Sequence, residues 1–209
     1  MLCGLVSHSS GRKLLNQDPN LRDKITSVGL NMSFQEGEYA GQSALSRLVS
    51  HSSGIKMLTQ DSLLRGKITP GGLNAVIQAG ELAGKSALLA LCGYVDGQAL
   101  LRNDKLLRSK ITPEGLNAVI LVGQHAGQSA LFLLCCSRQG GPLLQSDNVL
   151  RGKITSEGLN AINTYGNASI STLSLLRSSP DGQVLLESDQ VLSSKISSEL
   201  VPGLSMRPR

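Results

Sequence analysis

The chain has 209 residues and a formal net charge of +5, with only 2% aromatic residues and no tryptophan. Its apolar residues are mostly Leu, Ile, Val and Ala, a composition that suits closely packed helices better than a β-sandwich. No apolar run approaches the roughly 18–20 residues of a membrane span, and the N-terminal apolar stretch is too short for a secretory signal.

An internal repeat dominates the chain. Lys24-Ile25-Thr26, Lys67-Ile68-Thr69, Lys110-Ile111-Thr112 and Lys153-Ile154-Thr155 follow one another at steps of 43 residues. A weakened Lys195-Ile196-Ser197 comes after 42, one residue being missing around Asn167–Ile170. A period of this size is the signature of a solenoid. The expected fold is all-α, an α-solenoid of about four 43-residue three-helix repeats in a single domain over residues 1–204. Its units fall at about 1–23 (partial), 24–66, 67–109, 110–152, 153–194 and 195–204 (partial), and residues 205–209 form a disordered tail.

In chain order, Leu5–Gly11 matches Leu48–Gly54, so the sequence enters in the middle of a second helix and reads as a fragment of a longer protein. The first helix of each full unit starts at the Thr of Lys-Ile-Thr. Thr112 is its N-cap, Pro113 the first helical residue, and Glu114 adds negative charge to the first turn. Ile111 and Leu116 form a hydrophobic staple, repeated as Ile25/Leu30, Ile68/Leu73 and Ile154/Leu159. Gly37, Gly80, Gly123 and Gly166 are expected to end this helix. The second helix starts at Ser43, Ser86 and Ser129 and is apolar all round, as in Ala130–Cys136, so it belongs between layers. Gly54, Gly97, Gly140 and Gly182 are expected to terminate it. A third helix carries a Leu-Leu pair, an Asp and a Leu-Arg, as in Leu143-Leu144, Asp147 and Leu150-Arg151. At the far end, Ile196–Val201 is expected to open another first helix.

Cys92 and Cys135 occupy the register position of Val49 and Val6, where a thiol behaves as a small hydrophobe. With no CxxC or Cys/His spacing, the four cysteines read as reduced thiols of a cytosolic protein, with no metal and no disulfide. No catalytic constellation appears: the three histidines lie in repeat tips, and His125 stands in register with Tyr39 and Leu82. The chain is therefore expected to be non-enzymatic and without cofactors.

Several polar positions recur. Asp18, Asp61, Asp104 and Asp147 each precede an arginine by four residues, which on a continuous helix makes intrahelical pairs. The repeated lysines form either a solvated edge or a basic stripe for an acidic partner. Asn31, Asn74, Asn117 and Asn160 form a ladder, either between units or toward a bound peptide on a concave face. Gly29, Gly72, Gly115 and Gly158 lie in the first turn of a helix, where close approach of a neighbouring helix would explain them. The tips vary on this constant frame and are candidates for partner choice. They contribute Glu36, Glu38, Tyr39, Glu81, Gln124, His125 and Tyr165 after the first helix, and Tyr94 and Arg138 after the second. The expected partner is a protein or peptide, with self-association through uncapped ends as a further possibility.

Gly127–Leu134 followed by Gly140 resembles the opening of an ankyrin repeat, and three helices in a unit of this length resemble an armadillo repeat in outline. More specifically, Gly-x-Ser-Ala-Leu, Gly-Gln-x-Leu-Leu, Ile-Thr and Leu-Asn in succession resemble helical repeats in effectors of intracellular bacterial pathogens such as Legionella. That resemblance implies a secreted virulence protein that binds a host component in the host-cell cytosol. A competing resemblance is to transcription-activator-like effectors, carried by Ile111–Glu114, Ala118 and Ala126–Leu131. It implies DNA reading by the inter-helix loops, where Lys85 supplies a cation and Glu36, Glu38 and Glu81 would repel phosphate.

Overall fold

The computed structural model describes residues 2–37, 39–78, 82–122, 125–165 and 168–197 of the chain. It begins with α1 (Leu2–Ser7), α2 (Ser9–Gln17) and α3 (Pro19–Asp23). A first set of four helices follows: α4 (Ser27–Asn31), α5 (Ala44–Val49), α6 (Ser52–Gln60) and α7 (Ser62–Gly66). The next is α8 (Pro70–Asn74), α9 (Ala87–Gly93), α10 (Val95–Asn103) and α11 (Lys105–Ser109). The third is α12 (Pro113–Asn117), α13 (Ala130–Cys135), α14 (Gly140–Ser146) and α15 (Asn148–Gly152). The last combines α16 (Ser156–Asn160), strands β1 (Ile162–Tyr165) and β2 (Ala168–Ser171), α17 (Thr172–Ser178), α18 (Pro180–Ser188) and α19 (Gln190–Ser197). The fold is mostly helical, with one antiparallel strand pair running from Ile162↔Ser171 to Tyr165↔Ala168.

Local chemistry explains where the helices begin. Thr26, Thr69, Thr112 and Thr155 hold extended backbone, and each hydroxyl oxygen accepts the amide three residues on, at 3.0–3.1 Å. Ser43, Ser86, Ser129 and Ser171 cap α5, α9, α13 and α17 in the same way. These serine-capped helices form the spine: α1 packs on α5, α5 on α9, α9 on α13 and α13 on α17. Leu45, Leu88 and Leu131 are fully buried within it, and Val6, Val49 and Cys92 line its interior. The staple residues Ile111 and Leu116 are buried beside them.

Several expectations are corrected. The unit holds four helices rather than three, because Asp18, Asp61, Asp104 and Asp147 leave the helix and become N-caps. Each carboxylate accepts the amide three residues later, as Asp104 Oδ1 accepts Leu107 N at 2.8 Å, which an aspartate does more readily than it sits in a helix interior. The first helix is a short turn that ends at the asparagine: Ala75 and Ala118 already have ψ near 129°, well before the glycines thought to end it. Gly54, Gly97, Gly140 and Gly182 do not close the second helix but sit in the first turns of α6, α10, α14 and α18. There a Cβ would lie 1.9–2.3 Å from the carbonyl oxygen of Leu48, Leu91, Leu134 or Leu176, so only glycine lets the two helices approach. Lys195 and Ile196 continue α19 rather than opening a new helix, and the remainder of that segment lies outside the described residues.

Three polar links join each set to the next. Arg22, Arg65, Arg108 and Arg151 pair with Asp61, Asp104, Asp147 and Asp189 of the following set, so the aspartate–arginine pairs are not intrahelical. Each guanidinium also donates to carbonyls at the end of its own preceding helix, as Arg108 does to Leu101 and Arg102 at 2.7 Å. The ammonium groups of Lys67, Lys110 and Lys153 donate to the last carbonyls of the preceding set, for example Lys110 to Gly66 at 3.1 Å. Asn74 donates to Lys110 O at 2.8 Å and accepts from Thr112 N at 3.1 Å, and Asn31 and Asn117 repeat this toward Lys67/Thr69 and Lys153/Thr155. Gly72, Gly115 and Gly158 make room for these side chains. A Cβ on Gly115 would lie 2.1 Å from Asn74 Oδ1.

Candidate interaction surface

Two clefts of the same make open between successive threonine-capped helices. One lies between α8 and α12, has a volume of about 380 Å³, and is lined by Pro70, Asn74, Ala75, Ala118 and Ile120, with Leu89 and Ala130 beneath. The other, of about 450 Å³, lies one set further on, between α12 and α16, with Pro113, Asn117, Ala118, Thr155 and Ala161 in its wall. Residue by residue, Pro70, Asn74, Ala75 and Ala118 of the first return in the second as Pro113, Asn117, Ala118 and Ala161. Small side chains leave much of the space, since proline, glycine and alanine recur in the lining beside the asparagines. The lining is mainly apolar, Glu114 lies on both rims, and Ala118 belongs to both clefts.

Beside the clefts, the chain returns to the spine through a tight double-back. Ile77 N donates to Lys85 O and Gly84 N to Ile77 O, both at 2.8 Å, and Ile120 repeats the pattern with Gln128 and Gly127. Gly84 and Gly127 take φ values of +80° and +81° at this bend, a conformation with little cost for glycine alone. In the last set the same segment becomes β1 and β2. Neighbouring loops touch, with Thr164 N donating to Gly127 O at 2.6 Å.

These loops gather two of the candidate residues predicted from sequence. Tyr94 and His125 line one cavity of about 210 Å³ with Ser50, Lys85, Leu89, Ala90 and Gly93. The Tyr94 hydroxyl donates to Ser50 O at 3.2 Å, and His125 Nδ1 lies 3.0 Å from Gln128 Oε1. The other candidates are dispersed. Glu36 and Arg138 are exposed, Tyr39 is half-buried with the Arg47 guanidinium 5.2 Å from its ring centre, and Tyr165 ends β1. Glu38, Glu81 and Gln124 lie outside the described residues. Asn31, Asn74 and Asn117 have both polar atoms committed to the neighbouring set, and Asn160 donates to Ser156 O at 3.0 Å.

No known protein family, curated protein or solved structure matches the chain.

Among the described residues no cluster of His, Cys, Asp or Glu has the makings of a metal site, and no helix is long and apolar enough to cross a membrane. Burial pushes the thiols of Cys92 and Cys135 far above their ordinary range, which keeps them protonated and poorly nucleophilic. Sequence reasoning missed the cleft residues Pro70, Ala75, Glu114 and Ala118. The available signal was the alanine that follows Asn74, Asn117 and Asn160 in register, at Ala75, Ala118 and Ala161.

Proposed function

We propose that this protein is a non-enzymatic interaction module, an α-solenoid of 43-residue units that holds an extended segment of a partner protein along its row of clefts. The observation that carries this reading is the recurrence of one cleft in the same register between α8 and α12 and between α12 and α16. A repeating groove of this kind accepts a chain that also repeats, one side chain per unit, with the variable loops alongside to choose among partners. The resemblance to helical repeats of pathogen effectors supports a host protein as that partner and the host-cell cytosol as the place of action. DNA reading has less support, because the ammonium groups of Lys67, Lys110 and Lys153 sit on backbone carbonyls instead of facing outward.

Ala118 offers the direct test. Ala118→Trp places an indole at an exposed position shared by both clefts and should abolish binding of segments selected on a peptide array while leaving the far-ultraviolet spectrum unchanged. Leu106→Asn, on the exposed side of α11, should leave binding intact. If the two variants behave alike, the clefts are not the binding surface.

A further inference from the structure

The face built by α1, α2, α3 and the start of α4 is exposed, although its counterpart is covered in every later set. Leu14 of α2 is 48% exposed, whereas its register mates Met57, Leu100 and Leu143 are 1%, 3% and 0% exposed. What separates them is a preceding set: α6 packs on α2, and α10 on α6. Leu2, Leu5 and Leu21 are likewise only half-buried where Leu45, Leu48 and Leu64 are buried. With Leu15, Ile25 and Gly29 they line a mainly apolar hollow of about 300 Å³. The polar links are half-made on the same face. Asp18 caps Leu21 N at 3.1 Å, but among the described residues no set precedes it to bring the arginine that Asp61, Asp104 and Asp147 receive. Lys24 is exposed, whereas Lys67, Lys110 and Lys153 reach carbonyls of the set before. Gly72, Gly115 and Gly158 each make room for an asparagine of the set before. A Cβ on Gly29 would meet nothing nearer than its own Thr26 hydroxyl at 3.2 Å, so that place stands open.

We propose that this face is a docking site for a further set of the same repeat, one that keeps an arginine at the place held by Arg22, Arg65, Arg108 and Arg151. Such a set continues the interface already made between successive sets: its arginine meets Asp18, its asparagine enters beside Gly29, and its last carbonyls receive Lys24. The leucines go under cover at the same time, and burial of apolar surface is what holds neighbouring repeats together. A second copy of this chain stacked head to tail does not meet the requirement. Ser193 stands where Arg151 recurs, and its hydroxyl donates to Leu186 O at 2.8 Å, the carbonyl seven residues back that Arg151 also finds in Leu144. The serine keeps that local bond but is too short to cross to another set. Docking therefore has a direction, with this end receiving. None of the hollow's residues lines either cleft, so docking here and peptide binding in the groove are read separately.

The test supplies the missing set to the whole chain. A copy of residues 1–43 joined ahead of Met1 places the added Arg22 and Asp18 at the 39-residue spacing of the existing pairs. Met1→Ala at the junction matches Ala44, Ala87 and Ala130 in register. The extended chain should unfold in urea in one transition, with a higher midpoint and a steeper slope, because more surface is buried cooperatively. Asp18→Asn and Leu14→Asp, made in the original portion, should each remove part of that gain, yet leave the midpoint of the unextended chain nearly unchanged. Separate, earlier unfolding of the added copy would overturn the proposal, and so would an extended chain as indifferent to the two variants as the unextended one. Sedimentation of the unextended chain gives the other arm, in which a single monomeric species is expected. Concentration-dependent pairing abolished by Leu14→Asp would make a second copy the occupant and overturn the proposal.

Discussion

Asn74 and Gly115 form a lock whose two halves have opposite intrinsic preferences. Asparagine is a mediocre helix former and glycine a poor one, costing up to about 1 kcal/mol each against alanine, yet both sit within short helices. Their reason is mutual: the amide of Asn74 bonds Thr112 N and Lys110 O, and only a missing Cβ at Gly115 leaves room for it. Gly115→Ala should therefore destabilise despite its better helix propensity, by about 1–3 kcal/mol for overpacking. Asn74→Ala should cost a similar 1–3 kcal/mol, since it strands the Thr112 amide. Urea denaturation of the double variant should show a loss smaller than the sum, because removing the amide relieves part of the clash. Strict additivity would show that the two residues do not share a site.

The arginine–aspartate pairs give stability a dependence on acid. Burial pushes the carboxyls of Asp61, Asp104, Asp147 and Asp189 up, but the capped amides and the paired arginines outweigh it and hold each below its ordinary value. A depressed folded-state pKa contributes stability that is fully present above the unfolded value, near 4, and lost as pH falls through the lower folded one. The urea midpoint should be flat from about pH 7 to 5 and fall below about pH 4. Asp147→Asn retains the cap but not the ion pair, so it should be less stable at pH 7 and show a shallower acid decline. An unchanged acid slope would assign the transition to other groups.

Among the helices, burial separates the structural from the tolerant faces. Leu131 of α13 is 0% exposed and Leu106 of α11 is 61% exposed, although both are leucines in short helices of the repeat. Leu131→Asp should abolish the helical signal, since it places an unpaired carboxylate in the spine, whereas Leu106→Asp should shift the melting temperature little. This helix was legible in the sequence, as were the Thr and Ser caps and the Ile/Leu staples, because each depends on residues within about one turn. The break at each aspartate was not legible. Asp61 could be read as a helix-face residue beside Arg65, and its true partner, Arg22, lies 39 residues away. The clefts were hidden for the same reason, being spaces between residues of different units. Of the candidate binding residues, Tyr94 and His125 could be found because they break the register, and Lys85 breaks it too.

Among the described residues, helices and strands pack within one set or between two successive sets. The ammonium groups of Lys67, Lys110 and Lys153 donate to backbone carbonyls, whereas tight binding to a phosphate backbone requires cations that meet its phosphates. A random DNA duplex at about 50 mM salt should not bind measurably in a mobility-shift assay. Tight binding that collapses at about 200 mM would return attention to the loops as readers of DNA.

The last set shows how the links tolerate a change in chain length. Arg151 meets Asp189 at a separation of 38 residues, where the earlier pairs span 39, and the pair still forms. The residue is missing from the segment that becomes β1 and β2, outside the arginine–aspartate, lysine and asparagine links. That segment is therefore a slack point: insertions and deletions there leave the latches on either side in register. It is the natural place to graft a foreign loop, where a change of length leaves the joints untouched.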